Sequence, residues 1–281
     1  MDLTSIDHSN LQLKALLKEF PSEGIPLDLG ACAIARPHRP GLNNNQVLDQ
    51  LEQLSKESIA TAINPDDPIS ILDAIRETLF HRHGFHGNIE RYYLPENSFI
   101  DRVLETKRGI PITLSLVMME VARRAGVVIE GFALPCHFLV GYRKKKKLTL
   151  YDPFSAGEEK TYRECVDMVQ MISGGTVTLG KHHFVQATPR EILVRMLMNL
   201  RGIYRNRNEP LHLIAVLKQL LLIDPHEGSV HGELAMSLAN TGSLIEAHHH
   251  LKVYSEWVSG TLGTKETDWV RQVRSSFSTY N

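Results

Sequence analysis

Three cysteines in 281 residues are too few and too scattered for a disulfide framework. Cys32, Cys136 and Cys165 form no Cys-x-x-Cys pair, so their spacing argues against a cysteine zinc site. Charge of one sign is also missing. Thirty-one Lys and Arg face 32 Asp and Glu, for a net charge of −1, so there is no global basic field to hold nucleic acid or an anionic membrane. Aromatic residues make up only 7%, with no platform of interleaved aromatic and basic side chains. No apolar run approaches the roughly 18 to 20 residues that span a bilayer. The opening "MDLTSIDHSN" is polar and acidic, unlike a signal peptide. These absences predict a cytoplasmic protein with reduced thiols that binds neither nucleic acid nor membrane and uses no cofactor.

What is present is an ordinary globular composition, 42% apolar and 22% charged, in a chain long enough for one large domain or two ordinary ones. Residues 1 to about 88 read as mostly helical. In "NNNQVLDQLEQLSKESIATAI", Val47, Leu48, Leu51 and Leu54 share one helical face after an Asn-rich start. In "DDPISILDAIRETLFHRHGF", Asp67 is placed to cap, Pro68 to take the first helical position, and Gly84 to end the helix. Residues 92–106 read as a loop and then a short helix capped by Asn97 or Ser98. "GIPITLSLVMMEVARRAG" predicts a helix from about 111 to 125, stopped by Gly126.

The pattern then becomes extended. "VVIEGFALP", "HFLVGYR" and "KLTLYDPF" are rich in β-branched and aromatic residues and predict antiparallel strands. The basic run Arg143 to Lys147 lies between two of them and reads as a solvated hairpin turn. Residues 157–173 predict a helix starting near Thr161 and ended by Gly174–Gly175, and "TVTLGKHHFVQATP" returns to extended chain. From Pro189 onward everything is helical and repeats. An offset of 34 pairs Leu200 with Leu234, Tyr204 with Leu238, Leu211 with Ile245, Leu213 with Ala247 and Leu217 with Leu251. That period is the one of tetratricopeptide helix pairs.

Three pieces carry the chemistry: a helix opening at Gly109-Ile110-Pro111, a strand bearing His137, and a strand ending at Asp152. Their order resembles the transglutaminase-like fold of papain-type thiol enzymes. In that fold a cysteine starts the helix, a histidine takes its proton and a carboxylate orients the ring. By this correspondence Pro111 stands at the nucleophile position. Proline suits a first helical turn, lacking an N–H that would be orphaned there, but it has no nucleophilic atom. The stretches "RYYLPENSFIDRVLETKRGIPITLSLVMMEVARRAG", "ALPCHFLV" and "LYDPF" closely resemble the SirB family, whose members couple a transglutaminase-like core to a tetratricopeptide tail. The resemblance spans about residues 27–257 and is strongest over 84–154. It implies an α+β fold, with a core at 1–187 of helices packed on a small antiparallel sheet and an all-α tail at 188–281. It also implies glycine before the histidine, a pattern from which Cys136 departs.

Other nucleophiles are weaker candidates. Cys136 adjoins His137, but neighbouring strand residues face opposite ways. Thr113 lies about 200° around the helix from Pro111, while Ser115 shares its face one turn deeper. Helical hydroxyls of this kind usually bond a carbonyl one turn back. Asn97 and Arg102 are further candidates for a cleft, from the dense polar pattern before Gly109. The clusters His81, His83, His86 and His248 to His250, and the pair His182–His183, invite a metal reading. Yet Gly84 breaks the first, helical divergence of about 100° per residue splays the second, and strand alternation separates the pair. No metal is expected. Two functions remain open. One is a non-catalytic module that binds a protein or peptide through its helical repeats. The other is a hydrolase or acyltransferase that uses His137–Asp152 with a non-standard nucleophile or water.

Overall fold

The computed structural model describes residues 2–21, 24–145 and 147–262. In chain order the helices are α1 Leu3–Ser9, α2 Leu11–Glu19, α3 Leu27–Ala35, α4 Asn44–Thr61 and α5 Pro68–Arg76. Then come strand β1 His86–Gly87, helix α6 Ile100–Thr106, strand β2 Arg108–Gly109 and helix α7 Pro111–Arg124. Strands β3 Glu130–Phe132, β4 Leu139–Lys144, β5 Lys147–Asp152 and β6 Glu158–Lys160 follow. Helices α8 Tyr162–Ile172, α9 Pro189–Arg207, α10 Pro210–Ile223, α11 Gly228–Asn240 and α12 Leu244–Leu262 complete the series. The architecture is mostly helical with small sheets. Among the described residues no helix is long and apolar enough to cross a membrane.

Contacts divide the chain into two compact units that are not contiguous in sequence. One holds residues 20–35 and 41–196, the other residues 1–19, 36–40 and 197–281. In the first unit the sheet order is β3-β4-β5-β6, antiparallel throughout. β4 and β5 form the expected hairpin across the lysine run, with Lys144 opposite Lys147 and Lys145 at φ +56°. One face of the sheet is buried by α8: Phe132, Leu134, Leu139 and Leu150 pack with Cys165 and Val169. α8 begins at Thr161, whose hydroxyl accepts the Glu164 amide, as its capping pattern predicts.

α7 is the central helix of this unit and packs on α4, on β4 and on the turn after β5. Eleven of its 14 residues are buried, from Pro111 through Ala122. Its end follows the glycine rule. Gly126 takes φ +78°, and the amides of Gly126 and Val127 bond the carbonyls of Arg123 and Ala122 at 3.2 and 2.8 Å.

Several local expectations are corrected. Asp67 holds the N-cap position of α5 but makes no side-chain cap bond; its carboxylate instead lies 3.9 Å from Lys144. α5 does not run regularly to Gly84 but widens into a π-helical turn at Glu77–Arg82. Phe99, not Asn97 or Ser98, is the N-cap residue of α6, because both polar residues belong to a 3₁₀ turn at Pro95–Ser98. Residues 176–186 are not a strand. They contain a 3₁₀ turn at Lys181–His183, pair with the sheet at a Phe132–Gln186 bridge, and pack Leu179, Val177 and Phe184 against its apolar face.

The second unit contains α1, α2 and the helices from α10 onward. Four of the five offset pairs are buried in both members: Leu200/Leu234, Tyr204/Leu238, Leu213/Ala247 and Leu217/Leu251. Ile245, the counterpart of Leu211, is 92% exposed. Lys218 of α10 bridges Asp7 of α1 and Glu246 of α12 at 2.8 and 2.7 Å.

Candidate functional site

The site is built where three local structures end. α7 starts at Pro111, with Ile110 as N-cap. The Thr113 hydroxyl accepts the Ile110 amide at 3.1 Å and lies 2.7 Å from the Asn97 carbonyl, to which it donates. Thr113 is therefore consumed in fastening the helix start to the 3₁₀ turn. Asn97 is 3% exposed and ties down the preceding loop. Its amide nitrogen donates to the carbonyls of Arg91 and Tyr92 at 2.7 and 3.0 Å, and its oxygen accepts from Asn88 at 2.9 Å. Arg102 pairs with Glu105 one turn along α6. Ser115 is fully buried, and its hydroxyl has no hydrogen-bond partner among the described residues.

His137 does not lie in a strand. It sits two residues before β4, in a turn where Cys136 adopts φ +62°. This left-handed residue swings the chain so that the Cys136 side chain is exposed while His137 is only 5% exposed. The thiol and the imidazole thus diverge because of a turn, rather than through strand alternation.

Asp152 ends β5 and caps the short 3₁₀ turn Pro153–Ser155. Its Oδ1 accepts the Phe154 amide at 3.0 Å and lies 3.0 Å from His137 Nε2, while Oδ2 accepts the Ser155 hydroxyl at 3.0 Å. Burial pushes the Asp152 carboxyl up, but the His137 ring, the Ser155 hydroxyl and the Phe154 amide outweigh it and lower its pKa. The carboxylate is therefore the acceptor, and Nε2 of His137 the donor. In the neutral ring the lone pair then resides on Nδ1, which makes no hydrogen bond among the described residues.

Aromatic rings close over this pair. Phe154 meets the His137 ring edge-on at 6.0 Å, and Tyr92 meets Phe154 at 6.0 Å. Gly87 permits the approach, since a Cβ there would sit 2.5 Å from the Phe154 ring. Asn88, Tyr92, Phe154 and Ser155 were not singled out from sequence. The Asp-Pro-Phe-Ser string was the available signal for Ser155, because an acid ahead of proline at a strand end commonly caps the turn that follows.

The remaining candidates lie elsewhere. Cys165 is buried under the sheet, and burial, then the charges of Asp152 and Glu164, push its thiol up to about 11. Cys32 is buried in α3. His83 bonds Glu57 at 2.6 Å, His86 bonds the Gly84 carbonyl at 2.7 Å, and His250 faces His231 at 2.8 Å. His182 and His183 do not alternate faces; their rings lie 4.0 Å apart, tilted by 38°, within their 3₁₀ turn. Among the described residues no group of three or more His, Cys, Asp or Glu gathers for a metal ion.

The sequence model of the transglutaminase-like superfamily matches residues 45–198, a span that runs from the start of α4 into α9 and includes the His137–Asp152 pair. A UPF0162 protein of Xylella fastidiosa is 30% identical over 252 residues, covering 87% of this chain and 88% of that one. A UPF0162 protein of Pseudomonas aeruginosa is 27% identical over 68% of this chain and 70% of its own. F-box only protein 21 of Mus musculus is 33% identical over 138 residues, covering 46% of this chain and 21% of that protein.

Proposed function

The chain belongs to the transglutaminase-like superfamily, and from that premise we propose that it is a non-catalytic member, a protein-interaction or regulatory module with a tetratricopeptide-like tail. The observation that carries this reading is Pro111, buried at the first position of α7. A thiol at that point would gain a stabilised thiolate from the helix N-terminus, whereas a pyrrolidine ring offers no lone pair for attack. The Ser115 hydroxyl, without a hydrogen-bond partner among the described residues, is fully buried one turn into α7. The Thr113 and Ser155 hydroxyls are committed to hydrogen bonds. The Cys136 side chain is exposed, whereas that of His137 is buried. Asp152 and His137 then serve as a buried polar strut between β5 and the turn before β4. The partner surface in this reading is the tail, where an open depression of about 580 Å³ is lined by Arg201, Tyr204, Glu233, Met236 and Trp257 among others.

A second reading, a hydrolase or acyltransferase working through the His137–Asp152 dyad, is favoured by the 3.0 Å Nε2···Oδ1 contact and by an Nδ1 without a hydrogen bond among the described residues. Labelling of the full-length protein with fluorophosphonate and haloacetamide probes separates the two. The non-catalytic reading expects the same labelling in wild type and His137→Ala, with only Cys136 modified by haloacetamide. Labelling of a serine or threonine that disappears in His137→Ala would overturn it.

A further inference from the structure

A depression of about 680 Å³ opens at the amino end of α3. Asp28, Asp49, Glu52 and Glu120 line it against only Arg123 and Arg124, a formal excess of two negative charges. Glu120 is 3% exposed, and all its side-chain bonds fall on one oxygen. Oε2 accepts from Arg124 Nη1 at 2.5 Å and from Arg123 Nη2 and Nε at 2.8 and 3.0 Å. Oε1 receives no hydrogen bond among the described residues. Asp28 has both oxygens engaged, Oδ1 by the Leu29 amide at 2.7 Å and Oδ2 by Arg124 and Arg123 at 2.5 and 3.4 Å. The two guanidiniums are therefore already matched by the two buried acids, which disfavours an anionic ligand.

The remaining features favour a cation. Asp49 is exposed on α4 and has no ion pair among the described residues, while Glu52 reaches only Lys56 of its own helix at 3.4 Å. The carbonyl end of α7, at Arg124, adds negative partial charge. The opposing field of the α3 amino end is met by Asp28 at the Leu29 amide. Burial and the neighbouring Asp28 charge push the Glu120 carboxyl up against the pull of both arginines, and an added cation at Oε1 would relieve that like-charge repulsion. Ile25, Leu48 and Pro189 supply apolar wall. A single open acceptor oxygen suits a compact ammonium better than the two-pronged fork of a guanidinium.

We propose that this depression binds an alkylammonium group, its nitrogen donating to Glu120 Oε1 and its stem lying along Ile25, Leu48 and Pro189. The group can belong to a free amine or to a lysine side chain. Calorimetric titration of the full-length protein with hexylamine and with Nα-acetyl-lysinamide tests the site, with hexanoate and hexanol as controls. Saturable binding of either amine is expected, and the tighter of the two identifies the source. Asp49→Asn, a surface change that leaves packing alone, is expected to weaken binding about three- to tenfold. Glu120→Gln, where it folds, is expected to abolish it. His137→Ala is expected to bind like wild type, which separates this site from the dyad. No saturable amine binding, equal binding of hexanoate, or an unchanged affinity in Asp49→Asn would overturn the assignment.

Discussion

Replacing Cys136 by glycine is expected to stabilise the protein, although it deletes a side chain. Cys136 is held at φ +62°, a conformation that costs an L-residue roughly 1–2 kcal/mol. Glycine avoids that cost but brings a more flexible unfolded chain, worth roughly 0.5–1 kcal/mol in the other direction. The cysteine side chain is exposed, so little packing is lost. The net gain is about 0.5–1 kcal/mol, or roughly 1–4 °C in Tm for a chain of this size. Cys136→Val carries the opposite expectation, because a β-branched residue is strained there; it should lose about 1–2 kcal/mol. Urea unfolding of the three proteins, followed by circular dichroism and by amide protection in β4, reads both changes. A glycine variant less stable than wild type, or a valine variant equal to it, would refute the argument that the turn rather than the thiol determines this position.

Other perturbations have comparably defined outcomes. Burial, then the neighbouring His212, pushes the pKa of His38 down to about 3. Its folded pKa lies below the unfolded value of about 6.5, so the stability it confers is complete above pH 6.5 and is lost as pH falls from there toward 3. The loss should approach about 1.4 kcal/mol per pH unit, and His38→Phe should flatten the urea-midpoint profile by that one-proton slope. Arg124 holds both Asp28 and Glu120 at 2.5 Å with its own side chain 10% exposed. Arg124→Met should therefore cost about 3–5 kcal/mol in denaturant unfolding, whereas an exposed pair such as Lys56–Glu52 should cost under about 1 kcal/mol when broken. Asn97→Ala removes the ties to Asn88, Arg91 and Tyr92. It should raise hydrogen exchange across residues 88–94 and lower stability by about 1–3 kcal/mol.

Much of the fold follows from patterns a few residues long. α7 could be bounded at both ends because proline at N1 and glycine at C′ are backbone rules that act locally. The β4–β5 hairpin was legible because a lysine run between two apolar strands has nowhere to go but solvent. The failures share a cause as well. His137 reads as strand because "HFLVGYR" is continuous in composition; nothing in residue types announces that Cys136 has turned left-handed. Asp67 reads as a cap, yet a lysine from β4 competes for its carboxylate, and that competitor is distant in sequence. Asn97 reads as a helix cap or a cleft residue, whereas it knots a loop whose carbonyls come from residues five and six positions upstream. The joining of residues 1–19 and 36–40 with the C-terminal helices leaves no periodic trace at all, because partner choice between amphipathic helices is decided by shape.

Asp152 discharges three duties at once: it terminates a strand, caps the turn beyond it and holds an imidazole. Chemistry is at most one claimant on this acid, and removing catalysis would still leave two reasons to keep it. A histidine and an aspartate bonded in this way are thus poor witnesses to turnover. In the non-catalytic reading proposed above, the testimony comes instead from the head of α7, where the residue is a proline.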